Sequence, residues 1–151
     1  MSVFMEAAAA VVGTVAFSLL FGVPSRFYPY CGLIGGAGWL VYGGLMNGMT
    51  APSAALAATI VVIFLSRTFA VRERCPVTIF LISGIFPLVP GAGIYWTAYY
   101  IVTDDLALAV RTGFLACKVA VAIVLGIVFV FELPQKFFTF AAKKQEEVDD
   151  R

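Results

Sequence analysis

The sequence predicts an all-α membrane protein, a bundle of about five transmembrane helices. Apolar residues make up 62% of the 151 residues and charged residues only 13%, and the mean hydropathy is +0.98. A soluble domain is about half apolar and about a quarter charged. The apolar residues also lie in continuous runs, each about as long as a helix that crosses the ~30 Å hydrocarbon core. One domain of this size cannot hide so much apolar surface from water, so lipid must cover it.

The first apolar run extends from Val3 to about Gly22, and Pro24 follows it. No basic segment precedes the run, and it is longer than the hydrophobic region of a signal peptide. We therefore expect a retained helix.

The second run, from about Tyr30 to Met46, is rich in glycine, and the third extends from Ala51 to Phe69. Gly32 and Gly36 form a G-x-x-x-G pair, a pattern that permits close approach of two helices. Two interpretations stay open, namely packing within the chain and assembly of subunits.

The fourth run, from Pro76 to Val102, carries two prolines followed by two glycines. Proline removes a backbone donor and clashes with the carbonyl four residues earlier. As a continuous helix the run would be about 40 Å long, which exceeds the ~30 Å core and leaves length for an unwound turn. The pattern therefore predicts that the fourth helix is broken at Pro87–Gly93.

Broken helices at membrane depth are tolerated where they are buried in protein or line a cavity. The second half-helix would begin near Gly91, and its free N–H groups and positive dipole end favour a carboxylate. A simple proline kink is the alternative. The predicted substrate-binding residues are Pro87, Pro90, Gly91, Gly93, Tyr95, Thr97 and Lys118.

The fifth run, from Leu106 to Phe131, contains Arg111 and Lys118, about two helical turns apart on one face. Lys118 is expected near the bilayer midplane, where an unpaired charge costs at least ~2.5–3.5 kcal/mol. It is predicted to be a counter-charge for an anionic substrate. Pairing with a carboxylate of another subunit and snorkelling are the alternatives.

Three further charged residues are candidates for ion pairing or gating. Arg111 is expected at the depth of Glu6 in the first helix, and the two are predicted to form an ion pair. Arg26 follows Pro24 and is a candidate for gating or an anchor at the membrane surface.

The basic residues predict the orientation of the chain. With five spans, one side receives Arg26, Arg67, Arg72, Arg74, Lys136, Lys143, Lys144 and Arg151, whereas the loops of the other side hold Asn47 and the pair Asp104 and Asp105. The positive-inside rule then places the N-terminus outside and the C-terminus in the cytoplasm. Residues 1–134 are the predicted transmembrane module, and residues 135–151 a cytoplasmic interfacial segment with a charged tail.

The sequence contains no histidine and three cysteines. The commonest general base and metal ligand is thus missing, no metal or other cofactor is expected, and an enzyme is disfavoured. Cys75 lies among arginines that can lower a thiol pKa, or it is an ordinary loop thiol. A net charge of +1 gives no indication of nucleic-acid binding.

Three segments resemble the small, C-terminal-type module of the threonine/serine exporter family. They are residues 21–26 (FGVPSR), residues 31–35 (CGLIG) and residues 85–91 (IFPLVPG) with Tyr95 four residues later. The similarity extends over roughly residues 5 to 132. The matching positions are Pro24, Arg26, Pro87, Pro90, Gly91 and Tyr95, whereas Lys118 belongs to no family motif.

The resemblance implies a five-span module that works with a second subunit of about five spans in a split exporter of the cell inner (plasma) membrane. Its implied substrates are small amino acids such as threonine and serine, or dicarboxylates such as succinate. A non-transporting assembly subunit and a passive channel-forming oligomer are the competing hypotheses. The expected partners are the second subunit or further copies of the chain, the lipid membrane and the small-molecule substrate.

Overall fold

The computed structural model describes residues 3–133, of which 84% are helical and none form a strand. The all-helical prediction is therefore confirmed for this part of the chain. The predicted interfacial segment and tail, 135–151, lie outside the described residues. The helices are α1 (Val3–Leu20), α2 (Tyr28–Leu45), α3 (Ala51–Arg72), α4 (Thr78–Ile85), α5 (Gly91–Val102) and α6 (Leu106–Phe131), with 3-10 turns at Ser25–Phe27 and Phe86–Leu88.

Helices α3 and α6 are each long and apolar enough to cross a membrane. The segments Thr78–Leu88 and Gly91–Val102 meet at a bend of 48°, and together they are a third candidate span. Helix α1 is a shorter apolar helix, and the glycines and tyrosines of α2 lower its hydropathy. The two further spans expected over α1 and α2 stay a prediction.

Glycines let α2 lie directly against α1. A Cβ atom at Gly36 would lie 2.6 Å from Cγ2 of Val11, and one at Gly32 would lie 3.1 Å from the same side chain. Thr14 fills the space that a side chain at Gly35 would need, and its hydroxyl donates to the Ala10 carbonyl at 2.7 Å. The G-x-x-x-G face is thus used for packing within the chain.

Helix α4 packs against both α2 and α3 at the centre of the bundle. The buried rings of Phe27 and Phe80 meet edge to face, with centroids 5.4 Å apart. A Cβ atom at Gly84 would lie 2.6 Å from Ile34. These contacts fix the end of α4, and with it the point at which the chain turns towards α5.

A buried arginine joins α3 to the end of α6. Arg67 is only 7% exposed, and its guanidinium donates to the carbonyls of Val130 and, at 3.0 Å, Leu133. The last carbonyls of a helix lack intrahelical donors and carry partial negative charge, so a cation is favourable there. Arg67, expected as an anchor of the cytoplasmic side, is therefore also a cap of α6.

We expect Arg67→Leu to destabilise the protein by roughly 2 kcal/mol, because it removes charged hydrogen bonds to buried carbonyls. Arg72→Leu is the matched control, since Arg72 is exposed at the end of the same helix. Thermal unfolding of the purified variants in detergent measures the effect. Equal stability of the two variants would contradict the capping role of Arg67.

We expect Gly36→Leu to weaken the α1–α2 contact by about 1–3 kcal/mol, the usual cost of overpacking. Gly44→Leu is its control, because a Cβ at Gly44 in the same helix meets nothing within 4 Å. Unfolding in mixed micelles of increasing SDS content compares the two. A Gly36→Leu variant that stays monodisperse and as stable as Gly44→Leu would show that the glycine face is not packed this way.

Candidate functional site

The candidate site is the interruption between α4 and α5. Helix α4 ends at Ile85, a 3-10 turn covers Phe86–Leu88, and Val89 is extended with φ −61° and ψ 130°. Helix α5 begins at Gly91, after Pro90. Each proline lacks the N–H that a continuing helix needs. The interruption lies at 86–90 rather than at the predicted Pro87–Gly93, because both glycines belong to the first turn of α5.

The first turn of α5 keeps unused backbone donors. The Gly91 N–H bonds to the Val89 carbonyl at 2.7 Å, and Ile94 makes the first helical bond, to Pro90 at 3.1 Å. Between them, the N–H groups of Ala92 and Gly93 have no backbone acceptor within residues 3–133. Pro90 provides no side-chain cap. These N–H groups and the positive end of the helix dipole form an electropositive point.

A cleft of about 430 Å³ opens at this point between α2, α3, α5 and α6. Its volume is typical of small-molecule sites. A Cβ atom at Gly91 would meet nothing within 4 Å, so the backbone there is open to a ligand, whereas one at Gly93 would lie 3.1 Å from Ala116. The lining residues are Trp39, Tyr42, Ala51, Pro87, Leu88, Val89, Pro90, Gly91, Ala92, Gly93, Trp96, Thr112, Leu115, Ala116 and Val119.

Residues 6–132 match a family model described as "Threonine/Serine exporter, ThrE". The chain belongs to the threonine/serine exporter family. The match runs from α1 to the end of α6, so the family membership expected from the proline-glycine motif is confirmed. No curated protein and no solved structure matches the chain. The family is one of membrane exporters, and the cleft is accordingly considered as a site for transport rather than for catalysis.

Four of the predicted substrate-binding residues of this exporter module, Pro87, Pro90, Gly91 and Gly93, line the cleft. Tyr95 is 63% exposed on α5 and is not among the residues of the cleft wall. Thr97 donates to the Thr112 hydroxyl at 3.0 Å, which joins α5 to α6 and positions Thr112 at the wall. Thr97 itself is not a lining residue and contributes to the cleft only through its hydrogen bond to Thr112.

Lys118 lies outside the cleft, in a separate groove of about 400 Å³ between α3 and α6. Its ammonium nitrogen lies 4.5 Å from the ring centroid of Phe114. The groove also contains Pro52 and Ser53, so Lys118 is level with the start of α3, although it is near the middle of α6. The predicted midplane depth of Lys118 stays a prediction.

Glu6 and Arg111 are not brought together. Glu6 lines a groove of about 310 Å³ with Trp39, Phe86 and Pro87, whereas Arg111 is exposed on α6. Within residues 3–133 the structure contains no ion pair between them.

Arg26 lies in the turn before α2, where its guanidinium carbon is 4.4 Å from the ring centroid of Phe27. It is exposed and distant in sequence from the cleft-lining segments. The contact agrees with an anchoring role; a gating role stays a prediction.

Several cleft residues were missed from the sequence, chiefly Trp39, Trp96 and Thr112. Trp39 stands inside the glycine-rich run and Thr112 inside an apolar run. A polar or amphipathic side chain in such a run indicates that the helix faces a cavity or the bundle interior there. Only the packing shows which of these side chains line the same cavity.

The loop thiol of Cys75 has a pKa above its ordinary value because it is partly buried and because the Glu73 carboxylate lies nearby. Arg26 lowers the pKa, but by less than these two effects raise it. The lowering considered from the sequence is therefore overturned, since burial and Glu73 outweigh the surrounding arginines.

We expect Cys75 to react slowly with iodoacetamide at pH 7, because the raised pKa leaves little thiolate. Glu73→Gln removes one cause of the raised pKa and is expected to speed alkylation several-fold at pH 7 to 8. Mass spectrometry of a Cys31→Ala, Cys117→Ala background follows Cys75 alone. Unchanged or slower alkylation in Glu73→Gln would contradict the electrostatic effect of Glu73.

Proposed function

We propose that the chain is one subunit of a two-component exporter of small carboxylate-bearing metabolites in the cell inner (plasma) membrane. The substrates are threonine/serine-type amino acids or dicarboxylates such as succinate. The observation that carries the proposal is the cleft at the α4–α5 interruption, where the unpaired N–H groups of Ala92 and Gly93 mark an anion-binding point. Family membership supports export as the activity.

The cleft offers a carboxylate two backbone donors, the N–H groups of Ala92 and Gly93. The N–H groups at the start of α5 point along the helix axis with its positive dipole end. Thr112 also lines the cleft, but its hydroxyl donates to the Leu108 carbonyl at 2.9 Å, so it is not a free donor. No carboxylate side chain is among the lining residues. Hydrogen bonds from such donors are electrostatically stronger away from bulk water, where the dielectric constant is low. A few of them therefore suffice to orient a small anion.

The proposed topology has five spans, with the interrupted α4–α5 pair as the fourth. The loop before α2 and the loop after α3 lie at the same end of the bundle, because the rings of Tyr30 and Phe69 are 5.0 Å apart. Arg26 is near Cys75 at that end, and Arg67 lies at the nearby end of α6. Basic residues thus gather at one end, as the proposed cytoplasmic side requires.

A second subunit is proposed because this module lacks an acidic group in its cleft. Coupling of export to a proton gradient requires a titratable group near the substrate. Glu6 occupies a different groove, so the partner is the proposed source of such a group. The surface for it is available, since no residue of α5 is buried and much of α6 is exposed.

We expect Gly91→Leu to reduce export at least about tenfold, because its side chain would occupy the open cleft. Gly44→Leu, which also enters open space, is the matched control. The measurement is counterflow of labelled L-threonine and of labelled succinate in liposomes that contain the chain and its second module. Pro90→Ala is expected to lower flux as well, since it allows α4 and α5 to join.

Lys118→Ala distinguishes two hypotheses, namely that the cleft alone binds the substrate and that Lys118 is the counter-charge of the substrate. If the cleft alone holds the substrate, Lys118→Ala retains flux while Gly91→Leu loses it. Flux that persists in Gly91→Leu and Pro90→Ala would refute the role of the cleft as the substrate site. Flux lost in Lys118→Ala would support Lys118 as the counter-charge of the substrate. Flux that needs no second module would contradict the two-component arrangement, and a passive pore would show no saturation.

A further inference from the structure

Trp39 forms part of the wall between two cavities. Its side chain lines the cleft at the α4–α5 interruption, and it also lines the groove of about 310 Å³ that contains Glu6. Pro87 is shared by the same two cavities. The indole therefore stands at the interruption itself, with the first turn of α5 on one side and α1 on the other.

The indole N–H of Trp39 is buried and has no acceptor within residues 3–133. Tryptophan offers a donor only, and a buried donor without a partner is destabilising. Buried polar groups in native proteins are nearly always paired, so an orphan calls for a partner that the protein chain itself does not supply. The nitrogen itself is closed to solvent, so a ligand in the cleft meets this requirement when the indole rotates within the wall and turns its N–H towards the cleft.

The backbone that carries the indole is held on several sides. Its neighbour Gly38 packs against Val62, with 2.5 Å from the position of a Cβ atom to Cγ2. The ring of Tyr42 lies next to the indole, with centroids 5.5 Å apart. One turn earlier, Gly35 and Gly36 press α2 against α1. The helix cannot shift freely to find its donor another acceptor.

We propose that the indole N–H of Trp39 donates a hydrogen bond to a carboxylate oxygen of the ligand bound in the cleft. The inference rests on the proposed export function and deepens it by naming a contact from α2. The ligand is then held from two sides, by Trp39 on α2 and by the first-turn N–H groups of α5. A small organic carboxylate bridges the fixed part of the bundle and the arm beyond the interruption.

Glu6 is the competing acceptor, because it lines the groove on the other face of the indole. If the indole turned towards that groove, its N–H would meet the Glu6 carboxylate rather than a ligand. The two cases differ in one observable. A bond to the ligand forms only when ligand is added, whereas a bond to Glu6 exists without ligand and depends on Glu6.

The chain contains two tryptophans, so a sample in which this chain alone carries ¹⁵N-labelled indoles gives two N–H resonances. Trp39→Phe removes one of them and assigns it, and it keeps an aromatic ring in the wall. The sample is the full chain with its second module in lipid nanodiscs, titrated with sodium succinate and with sodium L-threonine. Succinamide, which lacks the carboxylates, is the control.

We expect the Trp39 proton resonance to move downfield and to saturate with a carboxylate ligand but not with succinamide. Trp39→Phe is expected to raise the half-saturating concentration in counterflow about tenfold, the loss of one hydrogen bond to a charged group. If Trp39→Phe does not fold, as its thermal unfolding would reveal, the titration of the wild-type chain decides alone.

A Trp39 resonance that ignores saturating carboxylate overturns the inference, as does one that moves in Glu6→Gln without ligand. If wild-type export is intact in that case and still lost in Gly91→Leu, the proposed function stands and only the Trp39 contact is refuted. Absence of carboxylate export by the wild-type pair would instead refute the proposed function.

Discussion

Pro90 has no backbone N–H, and Pro87 lacks the one that would bond to the turn before it, so the chain between α4 and α5 cannot continue as a helix. The rest of the site depends on this. Helix α5 restarts at Gly91, and in its first turn the N–H groups of Ala92 and Gly93 have no backbone acceptor among residues 3–133. The 48° bend between the two arms turns α5 away from the bundle and onto α6. The space left at the corner is the cleft, and the positive end of the α5 dipole points into it, with no charged side chain among the described residues that line it.

The corner keeps its shape because the helices around it are fixed by different means. Glycine contacts bring α1, α2 and α4 close together, where dispersion forces are strong and lipid cannot enter. Helix α6 is held to α3 by the capping contact of Arg67. Helix α5 buries no residue and is held mainly to α6, through the close approach of Gly93 to Ala116 and the hydrogen bond from Thr97 to Thr112. The cleft lies between this helix pair and the rest of the bundle.

The helices and the interruption could be predicted from the sequence because they depend on local chemistry, namely apolar length and the missing N–H of proline. The lining by Pro87, Pro90 and Gly91 follows from the same source. The groove that holds Lys118 could not be predicted, because it depends on how α3 packs against α6. The separation of Glu6 from Arg111 likewise depends on how the helices pack. Trp39 enters the wall through the stacking of α2 beside the interruption, which no spacing in one sequence encodes.

An uncapped first turn such as that of α5 favours negative charge and little else, because backbone N–H groups do not distinguish one small oxyanion from another. Under the proposed function, chloride, sulfate and phosphate in ordinary buffers therefore compete for the cleft. An affinity measured for any metabolite will depend on the anions of the medium as well as on the metabolite. Selectivity against abundant inorganic anions must therefore come from the other residues of the cleft wall, because the helix end alone would let such anions leave the cell with the substrate.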